Sequence, residues 1–159
     1  KKGYEIGADK TKHNADGFII VPSYPRFFFC CFARHAILHL TMILSRNMHR
    51  NPTYRKIKDH TEVVLIEFDP SVVSYEDVLI EWSQMHKPTC SQNTQYRSAI
   101  FYLNENQKNA GLEIVDSMKA AASSRRETIH SRVDPATRFY RAEEYHQNFL
   151  AKRGMRGAI

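Results

Sequence analysis

One eight-residue run constrains this chain more than any other. Thr61 to Phe68 (TEVVLIEF) sets β-branched and large apolar residues at both odd and even positions. Successive side chains of a strand point to opposite faces. A run that is apolar on both must therefore be covered on both, as in a central strand. Pro70 follows it, and the period then changes. Ser74 with Asp77 is a start signal for a helix. Tyr75, Val78, Leu79, Trp82 and Met85 recur at helical spacing and form one apolar face.

The alternation continues. Arg97 to Leu103 reads as a second strand, and Asn104 with Gln107 resembles a capping box for the next helix. That helix is expected to present Leu112, Val115, Met118 and Ala122 to the core. Glu127 to Val133 reads as a third, weaker strand before Pro135. Phe139 to Leu150 reads as a last helix, with Ala142, Tyr145 and Phe149 on one side. The order from residue 61 is β-α-β-α-β-α. It predicts a single α/β (α+β) domain, a mixed sheet flanked by helices. A length of 159 residues suits one domain with a real core.

The first third is different. Residues 1–26 are polar and glycine-punctuated, with a short strand expected over Phe18 to Val21 and stopped by Pro22 and Pro25. The chain begins Lys1-Lys2, as a fragment or processed form would. Phe27 to Leu44 is almost continuously apolar, broken by Arg34, His35 and His39. Its length approaches that of a membrane span. Arg34 near its middle argues against one, and a buried strand-to-helix unit is expected. Domain-like sequence runs over 27–153, with 27–50 the divergent part and 154–159 a tail.

Charge follows the same division. Residues 1–60 hold 11 Lys/Arg against 4 Asp/Glu, and the remainder 12 against 13, for a net +6. The basic residues are scattered, which fits a solvated surface better than a nucleic-acid arm. Phe27 to Phe29 with Arg34 lie in no recognisable nucleic-acid module, so no nucleic-acid partner is expected. His35 and His39 would share a helix face and, with Cys31, could offer three zinc ligands. No second ligand cluster follows, and no metal is expected. Cys30, Cys31 and Cys90 are too few for a disulfide scaffold, and a reducing intracellular compartment, cytoplasmic or in an organelle, is expected.

Several blocks resemble, in order, the methionine sulfoxide reductase A family. They are Asn51-Pro-Thr-Tyr54, Glu62-Val-Val64, Phe68-Asp-Pro70, Ser74-Tyr-Glu76, and Trp82 with His86 and Pro88-Thr89. Thr94-Gln-Tyr-Arg-Ser-Ala-Ile-Phe101 is the longest, followed by Phe139-Tyr140 and Ala142 to Gln147. The likeness covers roughly residues 51–153. It implies a ferredoxin-like core and thiol-dependent reduction of methionine-S-sulfoxide, free or in proteins. No bound cofactor is implied, only an external thiol such as thioredoxin or dithiothreitol, and a monomer is expected. In such a reaction a thiolate attacks the sulfoxide sulfur and becomes a sulfenic acid, and an acid protonates the oxygen.

By this resemblance Cys31 is the nucleophile, Glu62 the proton donor, Tyr96 a ligand of the sulfoxide oxygen, and Phe32 part of the methyl pocket. Glu62 shares a strand face with Val64, Ile66 and Phe68. An inward face would strip water from a carboxyl and favour the protonated form a donor needs. Gln95 and Arg97 are expected to fix the loop, and His146 to be structural. The family's Gly-Cys-Phe-Trp-Gly stands here as Cys30-Cys31-Phe32-Ala33-Arg34, without its glycines or tryptophan. The glycines and tyrosine expected before Asn51 are replaced by Leu44 to Arg50. The stretch before His60 is cut to Lys58-Asp59, and the Gly-Asn-Asp after Pro88-Thr89 to Cys90 to Asn93. The C-terminal Gly154-Met-Arg-Gly157 has no resolving cysteine, leaving Cys90 or Cys30 for that role. An inactive homologue with at most a peptide-binding role is the alternative.

Overall fold

The structure, a computed structural model, describes residues 17–22, 36–44, 61–91, 93–137, 139–141 and 143–146. Among the described residues eight regular elements form: β1 (Phe18–Pro22), β2 (Ala36–Leu44), β3 (Thr61–Phe68), α1 (Tyr75–Met85), β4 (Ala99–Tyr102), α2 (Glu105–Ser123), β5 (Arg132–Pro135) and β6 (Phe139–Arg141). A short 3-10 turn, Glu144–His146, follows.

The six strands make one mixed sheet in the order β5-β4-β1-β3-β2-β6. β1 lies between β3 and β4 and is antiparallel to both. β3 and β4 therefore run the same way, joined over β1 by α1 in a split β-α-β unit. β4 and β5 are parallel neighbours joined by α2. Both crossovers step towards the same sheet edge, so a common hand puts both helices on one face, and α1 packs against α2 there.

Between helices and sheet sits the core. Ile19, Val64, Ile66, Phe68 and Ile100 meet Tyr75, Val78, Leu79 and Trp82 of α1 and Val115 of α2. The opposite face is closed as well, since Val63, Leu65, Ala99 and Phe101 are buried. β3 is the two-faced central strand its composition predicts. Burying its apolar side chains stabilises the fold by about 1.5–3 kcal/mol each.

The helix starts read from sequence are present. Ser74 caps α1 in a capping box: its hydroxyl accepts from the Asp77 N–H, and the Asp77 carboxylate accepts from the Ser74 N–H. At α2 the Asn104 side chain accepts from the Gln107 N–H at 2.9 Å. Gln107 returns the bond one residue early, to the Leu103 N–H.

Four expectations need correction. Ala36–Leu44 is strand, not helix. An apolar run without clear period fits either, and pairing with both β3 and β6 decides it. His39 therefore lies on a strand, and the helical spacing invoked for zinc does not hold. Among the described residues, no group of three or more His, Cys, Asp or Glu is placed to hold a metal ion, and no helix is long and apolar enough to cross a membrane. The third strand lies later than expected, at Arg132–Pro135. It is an edge strand, where a terminal proline is tolerated.

The expected last helix is instead β6, paired to β2 through Phe139, Tyr140 and Arg141, and then the 3-10 turn. Aromatic residues suit a strand. Leu112 is exposed, contrary to expectation. The seated face of α2 centres on Gly111, Val115 and Ala122. A Cβ on Gly111 would come within 3.2 Å of the Val133 side chain, so the bare glycine lets α2 lie close to β5.

Candidate functional site

The amino end of β3 meets the loop that leads into β4. Three bonds hold the two together. The Thr61 hydroxyl donates to the Thr94 carbonyl at 3.0 Å. The Glu62 N–H donates to the Gln95 carbonyl at 3.0 Å. The Arg97 Nε donates to the Thr61 Oγ1 at 3.1 Å. Pairing of this kind extends the strand's influence past its end and fixes the direction of Gln95 and Tyr96.

Those two side chains converge on Glu62. The Gln95 Nε2 donates to the Tyr96 hydroxyl oxygen at 2.9 Å and makes a long contact, 3.5 Å, to the Glu62 Oε2. Glu62 is half-buried, on the face of β3 that carries Val64, Ile66 and Phe68 into the core. Tyr96 is 42% exposed. Its phenol is raised above the ordinary tyrosine range by partial burial and by the nearby Glu62, and lowered in part by Gln95. The hydroxyl therefore keeps its proton at neutral pH and remains a hydrogen-bond donor for a ligand.

Arg97 turns the other way. It is buried, and its Nη1 lies 3.3 Å from the Asp134 Oδ2. That oxygen has no well-directed hydrogen bond, so the contact is an ion pair and little more. Arg132 holds the other oxygen of Asp134 at 3.1 Å. The Arg97 guanidinium also lies 5.3 Å from the centre of the Phe101 ring. One side chain thus ties β3, β4 and β5 together. Its structural role was legible in the sequence; its partner Asp134 was not singled out.

Of the residues proposed from sequence, Glu62 and Tyr96 are brought together, with Gln95 between them. Cys90 is a free, exposed thiol in the same loop, its N–H bonded to the Lys87 carbonyl at 3.2 Å. Cys31, Phe32 and Cys30 lie outside the described residues, as do Asn51 to Tyr54. His146 falls in the 3-10 turn after β6 rather than in a helix. Gln95 is the residue the sequence undervalued. Its position between a carboxylate and a phenol was readable only as "loop".

Comparison with known proteins gives a consistent picture. The family model for peptide methionine sulfoxide reductase matches residues 36–158. That match begins five residues after Cys31. Peptide methionine sulfoxide reductase MsrA of Acidobacterium capsulatum is 38% identical over 115 residues, covering 66% of this chain and 73% of that protein. The chloroplastic peptide methionine sulfoxide reductase A4 of Arabidopsis thaliana is 36% identical over 123 residues, covering 71% of this chain and 46% of that protein. The chain thus spans about half to three quarters of the length of these relatives. Among solved structures, methionine sulfoxide reductase A of Corynebacterium diphtheriae superposes with a TM-score of 0.72 at 23% identity. It covers 90% of this chain and 77% of that one, and shares the fold.

Proposed function

The chain belongs to the peptide methionine sulfoxide reductase family, and from that premise we propose that it reduces methionine-S-sulfoxide, free or in a peptide, to methionine. The reaction is a two-electron reduction. The Cys31 thiolate attacks the sulfoxide sulfur, and Glu62 protonates the oxygen. Oxygen passes to the cysteine, giving a sulfenic acid and releasing the thioether. A second thiol attacks that sulfenic acid, forming a disulfide and water. Cys90, Cys30 or an external thiol is the second thiol, and dithiothreitol or thioredoxin reduces the disulfide.

The observation that carries this reading is the convergence of Glu62, Gln95 and Tyr96. A sulfoxide oxygen gains negative character as its sulfur is attacked. A carboxyl and a protonated phenol on one surface are the groups to receive it. Gln95 would hold the two at fixed separation. The methyl pocket is assigned to Phe32 by resemblance alone. A reducing intracellular compartment fits the thiol chemistry.

A second reading has a specific observation behind it. The segment Cys30-Cys31-Phe32-Ala33-Arg34 lacks the glycines and tryptophan of the family motif, and the family match starts only at residue 36. A homologue without turnover, retaining a peptide-binding surface, would look like this. Dithiothreitol-driven reduction of a methionine-S-sulfoxide peptide, with Cys31→Ser alongside, separates the two. Turnover that vanishes in the variant supports the reductase. A folded protein without turnover supports the binding homologue.

A further inference from the structure

The loop carrying Gln95 and Tyr96 is closed at its base by a largely buried chain of polar groups. His86, the first residue after α1, bonds through Nε2 to the Ser98 hydroxyl at 2.8 Å. Ser98 in turn bonds the Ser131 hydroxyl at 2.6 Å. Both serines are buried. The His86 Nδ1 lies 2.8 Å from the Trp82 carbonyl oxygen. A carbonyl can only accept, so Nδ1 carries a proton. Neutral His86 must then accept at Nε2 from Ser98, which accepts from Ser131. With the ring neutral, the direction of every bond follows from one carbonyl.

We propose that His86, as the neutral Nδ1–H tautomer, is a positioning residue whose clasp on Ser98 holds Gln95 and Tyr96 in register with Glu62. His86 and Ser98 flank residues 87–97, the whole connection between α1 and β4. Backbone bonds place the same chain against its neighbours: His130 N–H to the Pro88 carbonyl at 2.9 Å, and Arg132 N–H to the Ser98 carbonyl at 3.2 Å. The clasp therefore joins α1, β4 and the approach to β5 at one point. Its catalytic meaning rests on the sulfoxide reductase reading; its geometry does not.

Protonation opposes the clasp. An Nε2–H could no longer accept from Ser98, so the serine hydroxyls would have to turn. The new charge would sit on a part-buried ring beside two buried serines. Charged and titratable groups on the elements around the ring are Glu81 on α1, Lys87, Arg97 beside Ser98, and His130 and Arg132 on either side of Ser131. Burial dominates, holding His86 below the ordinary histidine range, with the Trp82 carbonyl acting in the opposite sense.

Trp82 is the sole tryptophan, and its ring centre lies 4.3 Å from that of His86. An imidazolium at that distance quenches indole emission, so Trp82 reports the protonation of His86. The full chain would be titrated by fluorescence and its loop followed by amide hydrogen exchange. Emission should fall on acidification with a midpoint below 6.5, and exchange at residues 93–96 should rise through the same midpoint after correction for intrinsic rates. His86→Asn keeps a donor for the Trp82 carbonyl but is too short to reach Ser98. It should speed loop exchange about fivefold to tenfold, leaving α2 unchanged. His86→Gln, with an amide oxygen that can reach Ser98, should recover most of the protection. A loop unaffected by either variant would overturn the proposal, and so would loosening shared equally by α2. Turnover enters none of these readouts, so the clasp and the reductase reading stand or fall separately.

Discussion

Four consecutive residues, Gln95 to Ser98, belong to two different environments. Gln95 and Tyr96 are at least partly exposed and gather around Glu62. Arg97 and Ser98 are buried and hold β3, β5 and α1. The outward pair is poorly covered, with one long contact among its bonds. The inward pair makes its bonds in low dielectric, where each counts for more. A block that resembles its family as a single motif thus has two physical roles, and substitution should separate them.

The largest effect is expected on the outward side. Glu62→Gln removes the proposed proton donor with little change in shape, and should lower dithiothreitol-driven turnover by roughly 10²–10⁴-fold. Its urea midpoint should stay near that of the parent chain. A loss of stability in parallel would break the comparison, because Glu62 would then belong with the anchors.

Next comes the inward side. Arg97→Ala leaves Asp134 facing the interior with one arginine partner, and strips Thr61 of a donor. Removing one member of a buried pair costs about 3–5 kcal/mol. Asp134 is partly exposed and keeps Arg132, so the lower end is expected, read from urea unfolding. Unchanged stability would mean that the Arg97 network is ornamental.

A pH effect sharpens the same contrast. His86 is held below its ordinary value in the fold, so below about pH 6.5 the unfolded chain binds the proton more readily. Stability should be level above that pH with respect to this group, and fall as the pH drops towards the folded-state value. His86→Gln should remove that component from a thermal-unfolding series. The smallest effect lies outside both clusters. Arg126 follows α2 in the left-handed region at φ 57°, with its N–H on the Ser123 carbonyl. Arg126→Gly should stabilise by roughly 0.5–1 kcal/mol, relief of strain being offset in part by unfolded-state entropy.

Much of this arrangement was legible in the sequence, and the gaps have physical causes. Thr61 to Phe68 could be read as central because apolar residues on both faces admit little else. Ser74 with Asp77 could be read as a cap because the bonding is local. β6 could not: Phe139 to Leu150 has a helical spacing of apolar residues, and only the free edge of β2 turns its start into a strand. Ala36–Leu44 has no clear period, and only its pairing with β3 and β6 makes it a strand. The role of His86 depends on Ser98 and Ser131, distant in sequence and ordinary in type. Glu62 and Tyr96 were found by resemblance. Nothing in the local pattern would have joined Tyr96 to a glutamate thirty-four positions away.

Antiparallel pairing also makes β2 a measure of tether length. Ala36 is set beside Phe68, and Leu44 beside Thr61. Glu62 is six positions along β3 from Phe68, roughly 20 Å at the rise of a strand. Cys31 precedes Ala36 by five residues, and five residues reach about 18 Å at full extension. The number of residues between Cys31 and Ala36 is therefore close to the least that would let the Cys31 sulfur meet the Glu62 carboxylate. The other end of this connection starts closer, since Pro22 is paired with Val63. If the thiol works as proposed, chain inserted between Cys31 and Ala36 should ease its approach, and chain removed there should abolish it. The length of one short connection, as much as the chemistry of its cysteine, would then decide whether the first step can occur.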